Sequence, residues 1–247
     1  MRLTAELLNN SLSYLNPLKE RELDLRGHKI PAIENLGAIA KDHESIDFTD
    51  NDISSVGNFP LCPRLQTLLL ARNRVTSLQA GLNRQVPNLR TLVLTGNAVQ
   101  ELADLDVLGG CGKLVHVSLV DNPVASKENY RYYLLWRCPQ IRFLDFQKVK
   151  DAERAKAREL FGTVDSPTDL ARGIMAVRSK NAANFGAAST LNGAAKKKIK
   201  ITEKEKKRFE ALVRKAGTLG EVQKLEKAFA EGRLPPGVGD EDVMDET

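Results

Sequence analysis

The sequence is short of several features that catalytic, secreted and membrane proteins depend on. Its three cysteines, Cys62, Cys111 and Cys138, sit about as far apart as the repeats described below and form no CxxC pair. A disulfide framework is therefore not expected, and they read as reduced, buried thiols of a cytosolic or nuclear protein. Three histidines lack the spacing that builds a metal site. The LRGH segment has neither GxGxxG nor GKS/T context, so no glycine loop is present to cradle a phosphate. An excess of one charge is missing too: 37 Lys+Arg face 32 Asp+Glu, for a formal net charge of +5. Such mixed charge permits a nucleic-acid partner without indicating one. The opening MRLTAELLNNSLSYLNP is interrupted by Asn9, Asn10 and Asn16, so neither a cleaved signal nor a membrane span is expected.

What is present is leucine, at intervals. A hydrophobic content of 42% over 247 residues excludes a wholly disordered chain and allows one elongated domain or a compact domain with a tail. From Leu23 the chain reads LDLRGHKI, IDFTDNDI, LQTLLLARNRV, LRTLVLTGNAV and LVHVSLVDNPV, with a further IRFLDF from Ile141. Aligning His28, Asn51, Asn73, Asn97 and Asn122 gives steps of 23, 22, 24 and 25 residues, the leucine-rich-repeat period with its LxxLxLxxN core. In each unit the last two apolar residues share one face of a short strand: Leu68 and Leu70 point in, while Thr67, Leu69 and Ala71 point out. One unit cannot bury its apolar side alone, so the fold expected is an α/β solenoid with a parallel concave sheet. The asparagines mark where the chain leaves the strand and can satisfy backbone groups opened by the turn. His28 in that position makes the ladder imperfect in the first repeat.

After each strand comes a second apolar set: Ile30, Ile33 and Leu36; Ile53, Val56 and Phe59; Val75 and Leu78; Val99, Leu102 and Leu105. These read as short helical or irregular turns on the convex side. Lids are required at both ends. Leu3, Leu7, Leu8, Leu12, Leu15 and Leu18 predict an amphipathic amino-terminal cover, and Tyr130, Tyr132, Tyr133, Trp136 and Phe143 predict a carboxy-terminal aromatic cap.

Function in such a solenoid is expected on the outward strand face. Its candidate partner-groove residues are Glu22, Asp24 and Arg26; Asp47 and Thr49, with Ser45; Thr67 and Leu69, with Ala71; Thr91, Val93 and Thr95; and His116, Ser118 and Val120. Phe143, Asp145 and Gln147 would close the series on the last strand. Acidic groups gather in the first two repeats and Leu69, Val93 and Val120 make an apolar centre, a surface suited to a helix or small domain with basic residues at one end. Asp24 and Asp47, roughly 5 Å apart in adjacent strands, could raise one another's pKa, but no nucleophile or histidine stands beside them. An enzyme is not expected. No aromatic platform for stacking RNA bases is evident either.

The predicted organisation is an amino-terminal cap (1–20), repeats (21–126), a final strand with aromatic cap and basic helix (127–162), a mostly flexible linker with a basic run (163–200), a helical hairpin (201–234) and an acidic flexible tail (235–247). Thr202 with Glu205 and Thr218 with Glu221 match capping boxes at the starts of the two hairpin helices. KKKIK before them is a weak nuclear-import or RNA-contact motif. Arg142, Lys148, Lys150, Arg154 and Lys156 could form a basic edge beside the groove.

Three stretches go beyond generic spacing: RELDLRGHKIPAIENLG at Arg21 to Gly37, IDFTDNDI at Ile46 to Ile53, and YRYYLLWRCPQIRFLDFQKVK at Tyr130 to Lys150. Over about residues 1–162 the chain resembles the leucine-rich-repeat proteins of the spliceosomal U2 small nuclear ribonucleoprotein. The resemblance implies a nuclear, non-enzymatic scaffold without cofactors, working among other spliceosomal proteins in pre-mRNA splicing. It also implies that the concave face clasps a helix of B-double-prime, an RNA-recognition-motif protein, and that the pair binds a stem-loop of U2 small nuclear RNA. Lys148 and Lys150, in the matched QKVK, and the adjacent Arg142 become the candidates for RNA phosphate contact. Other leucine-rich scaffolds, such as a phosphatase regulator or a cytoskeletal adaptor, would share the period without needing RELDLRG or FLDFQKVK.

Overall fold

A computed structural model describes residues 2–38 and 42–177. Helix α1 (Ala5–Asn10) begins at Thr4, whose hydroxyl accepts a hydrogen bond from the Leu7 amide. Strands β1 (Ser13–Leu15) and β2 (Arg21–Asp24) then form an antiparallel hairpin. The repeats supply β3 (Ser45–Asp47), β4 (Ser55–Val56), β5 (Thr67–Leu69), β6 (Ser77–Leu78), α2 (Leu82–Gln85), β7 (Thr91–Val93) and β8 (His116–Ser118). Helix α3 (Tyr130–Arg137), β9 (Phe143–Leu144), β10 (Gln147–Lys148), α4 (Asp151–Phe161) and α5 (Asp169–Ala176) complete the strands and α-helices, and short 3-10 helices cover Leu36–Ala38, Leu102–Gly110 and Pro123–Ser126. One sheet runs β1-β2-β3-β5-β7-β8-β9-β10, parallel from β2 to β9 and antiparallel at each end; β4 and β6 form a small sheet of their own. Short strands follow from the period, because each unit must turn and return within about two dozen residues.

The inward residues Leu23 and Leu25, Ile46 and Phe48, Leu68 and Leu70, Leu92 and Leu94, and Val117 and Leu119 stack into one continuous core, joined by the second apolar set of each repeat. Each fully buried aliphatic side chain stabilises by about 1.5–3 kcal/mol relative to water, which is why the units hold only when stacked.

The asparagines couple neighbouring repeats. Asn97 donates to the carbonyls of Leu94 in its own strand and Leu70 in the strand before, and its Oδ1 accepts from the Val75 amide. Asn51, Asn73 and Asn122 repeat the pattern. A preceding repeat is therefore part of the motif. His28 has none before it, only the β1 hairpin, which explains the exception. The residue ahead of each ladder position takes positive φ: Gly27 at 71°, Asp50 at 64°, Arg72 at 56°, Gly96 at 67° and Asp121 at 57°. Glycine adopts this conformation without a Cβ penalty; Arg72 does not, and the buried Asn73 bonds beside it hold the turn.

Both lids differ from expectation in part. Leu3 and Leu8 are buried and Leu7 half-buried, but Leu12, Leu15 and Leu18 are 71%, 72% and 76% exposed. Residues 11–15 belong to an edge strand and its approach rather than to a covering helix, so their side chains alternate between faces instead of sharing one stripe. At the far end Tyr130, Tyr133 and Trp136 are buried as a cap should be, and Phe161 of α4 packs edge-on to Tyr133 with ring centroids 5.4 Å apart. Residues 163–177, assigned to a mostly flexible linker, are instead ordered. Thr168 caps α5, accepting from the Ala171 amide while donating to the Leu160 carbonyl, and Ala171, Ile174 and Met175 pack on the core. The rest of the linker, KKKIK, the hairpin at 201–234 and the tail at 235–247 lie outside the described residues.

Candidate functional site

Register lays the outward side chains in lateral rows across the concave face. One row runs Tyr14, Glu22, Ser45, Thr67, Thr91, His116, Phe143, Lys148; the next runs Asp24, Asp47, Leu69, Val93, Ser118. A third, where the ladder continues past the strands, holds Arg26, Thr49, Ala71, Thr95 and Val120. All the sequence-predicted groove residues thus share one surface, although they differ in availability.

At the amino-terminal end the polar groups are already committed. The Glu22 carboxylate accepts from the Tyr14 hydroxyl at 2.7 Å, Asn16 Nδ2 at 3.0 Å and the Ser45 hydroxyl at 2.9 Å. Burial opposes its charge, but the bonds from Asn16, Tyr14 and Ser45 outweigh it and hold the carboxyl below its ordinary range. Asp24 is lowered chiefly by its hydrogen bonds to the Arg26 guanidinium, at 2.9 and 2.6 Å, against the opposing effect of burial. Arg26 Nε also lies 3.7 Å from Asp47, whose other oxygen accepts from the Thr49 amide. The expected mutual raising of Asp24 and Asp47 is thereby corrected for Asp24: a guanidinium, not a bare second carboxylate, sets its environment. Thr67 is buried with its hydroxyl donating to Glu20, and Ser118 is buried against the Thr95 hydroxyl.

The middle is open and apolar. Leu69, Val93 and Val120 are half-buried between the threonines Thr49, Thr91 and Thr95, themselves half-buried. At the carboxy-terminal end His116 is exposed and stacks on Phe143. The last strand does not continue as expected. Asp145 and Phe146 take φ of 52° and 63° and the chain reverses into β10. Gln147 therefore sits on the returning strand, and Asp145 turns to accept from the Leu119 amide and the Tyr130 hydroxyl. The same reversal sets Lys148 beside Phe143.

Arg142, Lys148 and Lys150 are all exposed along this edge. Two other members of the expected basic edge serve the cap: Arg154 donates to the Pro139 and Ile141 carbonyls, and Lys156 Nζ stands 4.8 Å from the Tyr132 ring centroid. Sequence reasoning missed Tyr14 and Glu20, which join the groove through the hairpin; the alternation SLSYL at Ser11 to Leu15 carried that signal. It also missed the exposed Phe146. Among the described residues no cluster of three or more His, Cys, Asp or Glu could hold a metal, and no helix is long and apolar enough to cross a membrane. Burial pushes the thiols of Cys111 and Cys138 up to about 11 and about 12, away from reactivity.

The leucine-rich-repeat family model matches residues 1–175, and the chain belongs to that family. The U2 small nuclear ribonucleoprotein A' of Neurospora crassa is 60% identical, with 100% of both chains covered. The human protein of that name is 41% identical, covering 95% of this chain and 90% of its own. A crystal structure of the Drosophila melanogaster SNF/U2A' complex matches with a TM-score of 0.66 and 47% identity, over 72% of this chain and 99% of that one. Within the leucine-rich-repeat proteins, the chain is a member of the U2 small nuclear ribonucleoprotein A' family. That membership makes it a component of a splicing particle and points to a non-catalytic scaffold.

Proposed function

We propose that this chain clasps the RNA-recognition-motif protein B-double-prime along its concave face, and that the pair holds a stem-loop of U2 small nuclear RNA in the nucleus during pre-mRNA splicing. The observation that carries the reading is the open apolar centre, Leu69, Val93 and Val120, on a sheet whose flanking polar groups are largely self-satisfied. From β2 to β8 the face spans roughly 19 Å at about 4.8 Å per strand, the length of a helix of about 13 residues. An amphipathic helix laid there would bury its apolar side against the centre and its polar side against the hydroxyls. The relative of known structure whose name pairs it with SNF supports a protein occupant. Arg142, Lys148 and Lys150 flank the groove at one end and can neutralise phosphates without reading sequence.

The test is purification of the tagged protein from nuclear extract at moderate salt, with co-purifying U2 RNA and RNA-recognition-motif protein measured against a control bait. Co-enrichment of both supports the reading. A stable partner lacking that motif, recovered without RNA, would make the chain an adaptor of another complex.

A further inference from the structure

His116 and Phe143 are register partners on β8 and β9, and their rings lie parallel, with centroids 4.8 Å apart and 2° between planes. That separation matches the spacing of neighbouring strands. Phe143 remains 37% exposed and Phe146, at the adjoining turn, 77% exposed. Lys148 is the register partner of Phe143 on its other side, and it and Arg142 are exposed. Asp145, the carboxylate between these two cations in sequence, turns its oxygens to the Leu119 amide and the Tyr130 hydroxyl and forms no ion pair with either cation. The core explains none of this cluster: Tyr130, Tyr133, Trp136 and Phe161 close the solenoid without it.

We infer that the His116–Phe143 ring pair is a stacking platform for a base of single-stranded RNA, with Lys148 and Arg142 drawing in the neighbouring phosphates. Parallel rings near the end of a sheet offer a planar π surface that every base can extend. Exposed cations without an ion-pair partner alongside favour a polyanion over an apolar protein side chain. The chain then makes a base contact of its own, where the groove reading leaves all of them to the partner's sheet. This inference rests on RNA passing the basic edge.

The experiment uses the full chain paired with B-double-prime and a U2 stem-loop carrying 4-thiouridine at successive loop positions. Irradiation followed by mass spectrometry is expected to place a cross-link on His116 or Phe143; cross-links confined to the partner would overturn the inference. Phe143→Ala should weaken RNA binding by the pair about five- to a hundredfold, while Phe143→Tyr restores it and protein pairing without RNA stays unchanged. Loss of pairing in the absence of RNA would mean that the rings hold a protein side chain, which also overturns it. Should the wild-type chain not pair with B-double-prime at all, the groove reading fails separately. Cross-linking of the isolated chain to 4-thiouridine-containing oligouridine then decides the ring assignment by its presence or absence.

Discussion

The two ends of the concave face carry comparable numbers of charged side chains and use them in opposite ways. At the amino-terminal end Glu22, Asp24, Arg26 and Asp47 bond to one another's neighbours, to Tyr14, Asn16 and Ser45, and to the backbone. At the carboxy-terminal end Arg142 and Lys148 stand exposed beside a ring stack, and the nearby Asp145 is turned inward. Of the amino-terminal acids, which the sequence presents as bait for a basic partner, Glu22 ties the hairpin to the first repeats, while Asp24 and Asp47 hold Arg26 and the local backbone. A count of charges along a surface therefore does not report the charge available to a ligand; the hydrogen bonds those charges already make do.

If internally tied polar groups are structural, the largest effect should come from the most tightly tied of them. Asn97→Ala leaves the Val75 amide without a partner inside the core and takes one donor from each of the Leu70 and Leu94 carbonyls, which keep Asn73 and Asn122. It is expected to cost about 2 kcal/mol in denaturant unfolding, whereas His28→Ala, outside the ladder, should cost under about 0.5 kcal/mol. Equal losses would break the distinction. Next, Leu69→Glu or Val93→Glu should weaken B-double-prime pairing by about a hundredfold or more, because the complex would bury an unpaired carboxylate. The thermal melt should barely change, since both side chains leave the core. A collapsed melt would mean that the face assignment is wrong.

A smaller effect distinguishes the ends by pH. Glu22 and Asp24 are both held below their ordinary 4.5 and 3.8. A depressed carboxyl stabilises the fold above its unfolded pKa and loses that contribution as pH falls through the lower folded value. Glu22→Gln should thus cost about 1 kcal/mol near neutral pH, with the deficit against wild type shrinking below about pH 4; a deficit that grows toward acid would contradict the assignment. The smallest change concerns the other end. Lys148→Ala with Arg142→Ala should leave stability and protein pairing intact while reducing the salt slope of RNA binding by about 0.7–0.9 for each phosphate that is no longer neutralised. An unchanged slope would remove these residues from the RNA.

Much of this molecule was legible in its sequence because a repeat reports the same physics several times. The LxxLxL inward pairs, the asparagine ladder and the apolar Leu69–Val93 centre all follow from period and alternation. The ends were harder, since neither has a second copy to average over. Six leucines in residues 3–18 looked like one helical stripe, yet Ser11 to Leu15 approach and enter a strand with Leu12 and Leu15 in water. Thr168 and the apolar residues of α5 lay beyond the last period and were assigned to linker. The period sets His116 and Phe143 at corresponding positions of successive strands, but the parallel stacking of their rings depends on side-chain rotamers that no period fixes. The reversal at Asp145 and Phe146 depends on two non-glycine residues with positive φ, which composition does not announce.

The central claim is that the concave face, at its apolar middle, receives the partner. The most direct measurement places a photoreactive benzoylphenylalanine at Val93 in one sample and at the exposed Arg84, beyond β6 on α2, in another, and irradiates each with B-double-prime. Cross-linking from position 93 and none from position 84 is the predicted result. Cross-linking from position 84 alone would put the partner on another surface and contradict the account.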